Sequence, residues 1–244
     1  MKIMRKIEDY YKLREVKIST GFMQNALASC LIEHGNTKVI CCASLEQGTP
    51  RWLKGQGRGW ITAEYSMLPT STHQRTDREV NRGKLSGRTQ EIQRLIGRSL
   101  RNICNLSAFG EKIIKIDCDV ISADGGTRTA SINGSWVALQ IAINTLKKDK
   151  VISSDPIRSG LSAISCGVVN DKVILDLNYT EDSNADADAN FVFNSAGNIV
   201  EIQCTGEKKA ITEVQFKKMY SLSKSACAEI FLKQKNSLLL GDKH

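Results

Sequence analysis

A mixed α+β fold, sheets packed with helices, is what the sequence predicts, on three observations. Apolar runs in the first half pair across a tight-turn signal, helical three- and four-residue spacing follows, and the second half repeats strands and then helix. The chain has 244 residues, 41% hydrophobic and 25% charged, enough for one substantial core. No linker, low-complexity tract or sequence repeat divides it, so residues 1–244 read as a single domain.

Leu27–His34 and Thr37–Ser44 are strand-like and separated by Gly35-Asn36, a two-residue hairpin signal. From Gly48 to Gly87 the pattern dissolves into Gly-, Thr- and Arg-rich sequence. That is too long for an idle loop and predicts short strands with a basic, mobile arm. Ile92, Leu95, Ile96, Leu100 and Ile103 then mark the apolar stripe of a helix opening at Arg88, with Arg94, Arg98 and Arg101 on another face. Ile114–Ile121 alternates as a strand. A Gly-rich turn at Asp124–Thr129 leads to a helix from near Ala130, marked by Ile132, Trp136, Leu139, Ile143 and Leu146. In the second half, the runs Ala163–Val169 and Lys172–Tyr179 flank Asn170-Asp171, and Phe191–Phe193 and Ile199–Cys204 flank Ala196-Gly197-Asn198. Thr212 and Gln215 have the form of a capping box opening a helix to about Gln234.

No apolar run approaches the roughly 20 residues that cross a bilayer. Met1–Arg14 is charged and lacks the apolar stretch and cleavage site of a secretory signal. The expectation is a soluble cytoplasmic protein with no membrane partner. The eight cysteines contain no C-x-x-C, and with only three histidines (His34, His73, His244) no zinc spacing exists, so buried, reduced thiols are expected. The net charge of +8 is concentrated: Arg51–Arg101 holds eleven basic and four acidic residues. Such a field suits a polyanion such as RNA or, equally, a solvated basic face.

Three segments carry candidate chemistry. Asp124–Thr129 joins a strand to a helix through two glycines. Backbone N–H groups can approach an anion there without a Cβ in the way, and the helix start adds unpaired donors. Thr127 adds a hydroxyl and Arg128 a fork suited to phosphate oxygens; the other reading is a plain strand-to-helix turn. Arg88, at a helix start after Gly87, could face the same anion or only solvent. Glu181–Asn190 holds three aspartates and a glutamate, which suit Mg²⁺ or Mn²⁺ or, alternatively, form an acidic surface turn. Together they compose a site in which inorganic phosphate could attack the last phosphodiester of RNA.

Three stretches resemble the ribonuclease PH family of phosphorolytic exoribonucleases: Gly55–Pro69, Gly87–Arg98, and Asp117–Ala130 with its Asp124-Gly125-Gly126-Thr127-Arg128 core. Glu181–Asn190 matches in order and spacing, and the resemblance runs from about Leu13 to about Gln234. It implies a duplicated ribosomal-protein-S5-domain-2-like fold of βαβ units and a homohexameric ring, a trimer of dimers. It further implies phosphate-dependent 3′→5′ trimming of transfer RNA precursors, with nucleoside diphosphates released and the reverse reaction adding nucleotides. Phosphate binding is carried onto Arg88, Gly126, Thr127 and Arg128, and catalysis with Mg²⁺ or Mn²⁺ onto Asp182 and Asp188. Transfer RNA binding falls on Arg75 and Arg78.

The chain departs from the family at several positions. Thr70 and Arg58 stand where Arg and Gln are usual, Ser86 replaces a Gly, Asp186 a Glu, and Cys204–Glu207 departs from Gly-Thr-Ala-Glu. A short Gly-Arg motif before Leu13 is absent. Two other functions compete: a non-catalytic RNA-binding ring subunit, and a hydrolytic nuclease, which needs a base although no histidine neighbours these segments in sequence.

Overall fold

A computed structural model describes residues 5–241. The two ends of the unit expected over 1–244, with His244 and the start of Met1–Arg14, lie outside them. The expected Gly35-Asn36 turn joins β2 (Ala28–His34) to β3 (Thr37–Gln47), antiparallel, with His34 opposite Thr37. β1 (Val16–Thr20) pairs with β2 on the outside. β5 (Lys112–Ser122) lies against β3, and β4 (Trp60–Met67) closes the sheet parallel to β5, giving the order β1-β2-β3-β5-β4. A parallel pair needs a crossover, and α1 (Gly87–Asn102) supplies it. Ser86 caps that helix by accepting from Thr89 N at 3.1 Å, so the Ser that replaces a family Gly has a structural use.

The second sheet is wholly antiparallel: β6 (Leu161–Val169), β7 (Lys172–Leu175), β8 (Ala187–Asn194) and β9 (Ile199–Gly206), in the order β7-β6-β8-β9. Asn170 and Asp171 both take positive φ, as a tight primed hairpin turn demands. α3 (Tyr179–Asn184) leads into β8, and α4 (Glu213–Gly241) follows β9. Thr212 and Gln215 make the reciprocal cap expected of them, at 2.9 and 3.2 Å.

Between the two sheets runs α2 (Thr127–Lys148), packed on β2, β3 and β5 of one and β6 of the other, with α4 beside it. Hence α2 is buried all round from Thr129 to Leu139 and meets solvent only in its last turns, and Ala130, Ile132, Trp136, Val137, Ala138, Leu139, Ala142 and Ile143 are all buried. Each large apolar side chain buried this way contributes about 1.5–3 kcal/mol, which outweighs the weak helix propensity of its β-branched and polar residues. Asn133, buried in the helix, exchanges two hydrogen bonds with the backbone of Ala163 at 2.7 and 2.9 Å and so fixes α2 to β6. One continuous apolar core extends through both halves.

Three expectations need correction. α2 begins at Thr127, not near Ala130, because Gly126 in the left-handed region ends the turn early. β7 stops at Leu175, where Asp176 takes φ +57° and turns the chain away. Glu181–Asn190 is no single acidic loop: capping by Asn178 winds its start into α3, and its end pairs into β8. The segment from Gly48 contains one full strand, β4, and Thr72, His73, Gln74 and Thr76 of its later part line a cavity. All eight cysteines are free thiols, and six are buried. Among the described residues no helix is long and apolar enough to cross a membrane.

Candidate active site

A cavity of about 560 Å³ opens where the two halves meet, and Arg88, Gly126, Thr127, Arg128, Asp182 and Asp188 all line it. Its cationic wall comes from two helix starts. Arg88 is the second residue of α1, and Thr127 and Arg128 are the first two of α2. Both helices thus turn their free N–H groups and positive dipole ends toward the same space. Gly125 and Gly126 have φ +76° and +65°. At Gly125 a Cβ would come within 2.3 Å of the Leu177 carbonyl oxygen, so only glycine lets the turn close against the second half.

Tyr65, buried on β4, donates its phenol O–H to Thr127 Oγ1 at 2.9 Å. That hydroxyl accepts from Tyr65 and keeps its own proton available for donation. Burial pushes the Tyr65 phenol up, keeping it a donor. Arg128 Nη1 donates to Gln203 Oε1 on β9 at 2.8 Å and lies 3.6 Å from Glu91 Oε1. Arg88 makes no ion pair among the described residues. Tyr65 and Gln203 were missed in the sequence because nothing in their spacing marks them; only the tertiary fold brings them to the phosphate turn.

The opposite wall is acidic. α3 presents Asp182 and β8 presents Asp188, and neither carboxylate has a salt-bridge partner among the described residues. Asp182 lies in the first turn of α3 and lines the cavity. Desolvation and then the charge of Asp188 push its carboxyl up, against the pull of Arg88 and Arg128. Asp188 is raised chiefly by desolvation, with Arg128 opposing. Two crowded carboxylates without a cation are a donor set for a hard divalent ion. Among the described residues no three His, Cys, Asp or Glu side chains cluster, so an ion held by this pair would take most of its remaining ligands from water or substrate. Asp186 is not in this wall; its carboxylate is 3.7 Å from Lys209 Nζ.

His73 lines the cavity, edge-on to Tyr179 at 5.5 Å between ring centroids, although it is distant from the other site residues in sequence. Arg75 and Arg78 lie outside this cavity. Arg75 pairs with Asp77 at 3.1 Å on the surface, and Arg78 lines a neighbouring groove with Asp117 and Asp119.

Residues 12–143 match the 3′ exoribonuclease family, domain 1, and residues 161–226 match domain 2 of the same family. The chain is 51% identical to ribonuclease PH of Caulobacter vibrioides over 227 residues, 93% of this chain and 95% of that protein. It is 53% identical to ribonuclease PH of Methylobacterium nodulans, also over 227 residues, covering 93% and 96%. Among solved structures it is similar to rice (Oryza sativa) Rrp46, with a TM-score of 0.75 and 20% identity over 94% of this chain and 97% of that one. A structure described as the Archaeoglobus fulgidus exosome with RNA bound to the active site gives a TM-score of 0.76 at 20% identity, covering 91% and 88%. The fold is the duplicated S5-like arrangement, with a parallel crossover retained in the first half and an antiparallel second half. With both domains matched in order, and half of all positions identical to ribonuclease PH across nearly the whole length, the chain belongs to the ribonuclease PH type of the 3′ exoribonuclease family.

Proposed function

We propose that this chain is a phosphate-dependent 3′→5′ exoribonuclease that trims the 3′ ends of transfer RNA precursors. One observation carries the reading: a single cavity sets two arginines and two helix starts against two carboxylates that have no cation partner. Arg88 and Arg128, with the N–H groups of the Gly126-Thr127 turn and the Thr127 hydroxyl, hold inorganic phosphate and neutralise part of its charge. A phosphate oxygen attacks the terminal phosphodiester phosphorus. The bond to the 3′ oxygen of the preceding nucleotide breaks, that oxygen takes up a proton, and a nucleoside 5′-diphosphate leaves. Asp182 and Asp188 would hold Mg²⁺ or Mn²⁺, which supplies charge neutralisation at the reacting phosphoryl oxygens. The reverse reaction extends RNA from nucleoside diphosphates.

Both halves act as one unit over 1–244, since each supplies one wall of the cavity. The working protein is a cytoplasmic homohexamer, a trimer of dimers, by its likeness to the family. A non-catalytic ring subunit would have no use for the joint arrangement of these six residues. A hydrolytic nuclease has one observation in its favour, His73 in the wall. The deciding experiment incubates a short RNA with the divalent ion, with and without phosphate, and identifies the released mononucleotide. Diphosphates that require phosphate are expected; monophosphates in phosphate-free buffer would establish hydrolysis.

A further inference from the structure

Beneath the phosphate turn lies a buried ionic group that the reaction itself does not use. Asp176, 1% exposed, receives Arg14 N at 2.8 Å on Oδ2 and Arg14 Nη2 at 2.7 Å on Oδ1. His34 Nε2 is 2.9 Å from the same Oδ2. The other end of the Arg14 fork, Nη1, donates to the Asp124 carbonyl at 2.6 Å. A Cβ at Gly126 would stand 3.3 Å from Arg14 Nη2, so the guanidinium lies directly under the turn. Asp124 is fastened elsewhere too. Its N–H donates to Thr37 Oγ1, its Oδ2 accepts from Asn36, and its Oδ1 accepts from the Tyr179 N–H that opens α3. From the other side, Arg5 forks onto Glu181 Oε1 and Oε2 at 2.9 and 2.8 Å and reaches the Leu175 and Asp176 carbonyls. Glu181 directly precedes Asp182 and closes the α3 capping box.

We infer that Arg14 and Asp176 are positioning residues, a buried fork that sets the Asp124–Gly126 turn and the α3 segment in register so that the phosphate donors face the carboxylates. Asp176 orients Arg14 in two bonds; Arg14 passes that orientation to the Asp124 carbonyl, next to both glycines. A lysine could keep the charge but not hold two acceptors in fixed directions. The chain reversal at Asp176 places Asn178, the α3 cap, two residues away. One carboxylate therefore governs the start of both catalytic segments. Its charge is held far below the ordinary carboxylate range despite burial, by His34 and Arg14, so the fork stays ionised.

This inference rests on the phosphorolytic reading, and its test separates the two. Arg14→Lys and Asp176→Asn would be assayed on a short RNA across a phosphate series and across an RNA series. Melting temperature would be measured with and without inorganic phosphate. In Arg14→Lys the KM for phosphate should rise about tenfold or more, as a turn displaced by a fraction of an ångström would cause, while the KM for RNA stays within about twofold. The rise in melting temperature given by phosphate should shrink in step. A folded Arg14→Lys with the parent's phosphate KM would overturn the inference, as would failure of both variants to fold, since the pair would then serve only the fold. If the parent itself needs no phosphate, the phosphorolytic reading fails instead.

Discussion

The first half of the molecule lines the cavity with glycine backbone and arginine, the second with carboxylates, and the contrast follows from how each half ends its elements. In the first half, β5 runs through a two-glycine turn straight into α2, and the start of α1 arrives beside it. The anion site proposed there is built from main-chain geometry, so few substitutions could imitate it. In the second half, α3 is a short helix and Asp188 sits near the start of β8. Those carboxylates are side chains added to a frame that stands without them. Removing a carboxylate should therefore erase chemistry and leave the fold, whereas disturbing the turn should affect both.

The sharpest break of that contrast is Asp188→Asn or Asp182→Asn. Losing a metal-holding carboxylate removes several kcal/mol of transition-state stabilisation, or a fall in turnover on the order of a thousandfold. Stability should move the other way in metal-free buffer. Both carboxyls are raised from 3.8, so the folded state holds its protons longer than the unfolded state. Stability then falls as pH rises from about 3.8 through the raised values. Each Asn variant should melt above the parent at pH 7 and level with it below the unfolded pKa. Asp188→Asn turnover near that of the parent would move the metal site elsewhere.

Arg128→Ala tests the cationic wall. Its guanidinium is 15% exposed and bonded to Gln203. Truncation at such a site costs about 2–5 kcal/mol, against roughly 0.2–1 for an exposed pair. Phosphate saturation should weaken severely and RNA binding little; unchanged saturation would make Arg128 a structural partner of β9. Gln203→Ala should give a smaller loss of the same kind, because it frees the fork without removing it.

Asp176 and the two aspartates proposed as catalytic, Asp182 and Asp188, differ in sign. Asp176 is depressed, so its contribution is present above its unfolded value of 3.8 and is lost as pH falls toward its folded value. Urea titrations from pH 7 down to pH 3 should show the parent losing stability at the acid end and a folded Asp176→Asn losing less. An equal slope in both proteins would mean that Arg14 and His34 do not hold the charge.

Most of the strand and helix frame was legible because burial on one face leaves a period in the sequence: β2, β3, α1, β5 and α4 all open close to where their patterns open. Periodicity failed where both faces are covered or where a cap decides. α2 starts three residues early on the strength of Gly126, and α3 exists because Asn178 and Glu181 cap each other, not because of any apolar stripe. Arg88, Gly126, Thr127, Arg128, Asp182 and Asp188, six of the residues that line the cavity, were nameable from glycine placement, charge and the family resemblance. Tyr65, Gln203, His73, Arg14 and Asp176 were not, since their relevance depends on long-range contacts. Nor was the contact that Arg5 makes with Glu181, from the segment before Leu13 that lacks the Gly-Arg motif.

The smallest effect concerns Arg75 and Arg78, proposed to hold the transfer RNA body away from the cut. Such phosphate contacts position a substrate without reading its sequence, and each one lost should lower the salt slope of binding by roughly 0.7–0.9. Their surroundings moderate that. Arg75 is already paired with Asp77, and Arg78 lies close enough to Asp119 to oppose in part the burial that pushes that carboxyl up. Each cation is thus partly neutralised before RNA arrives, so Arg75→Glu with Arg78→Glu should weaken transfer RNA precursors while short-RNA turnover stays close to the parent's. Thr70, exposed in the same stretch, offers the converse. Thr70→Arg adds a cation with no acidic neighbour in sequence from Met67 to Arg75 and should tighten binding and steepen the salt slope. Affinity for a transfer RNA precursor across a salt series, with short-RNA turnover beside it, reads both. Equal losses on the two substrates would tie these arginines to the catalytic cavity through Thr72–Thr76, and no change on either would leave them a solvated face.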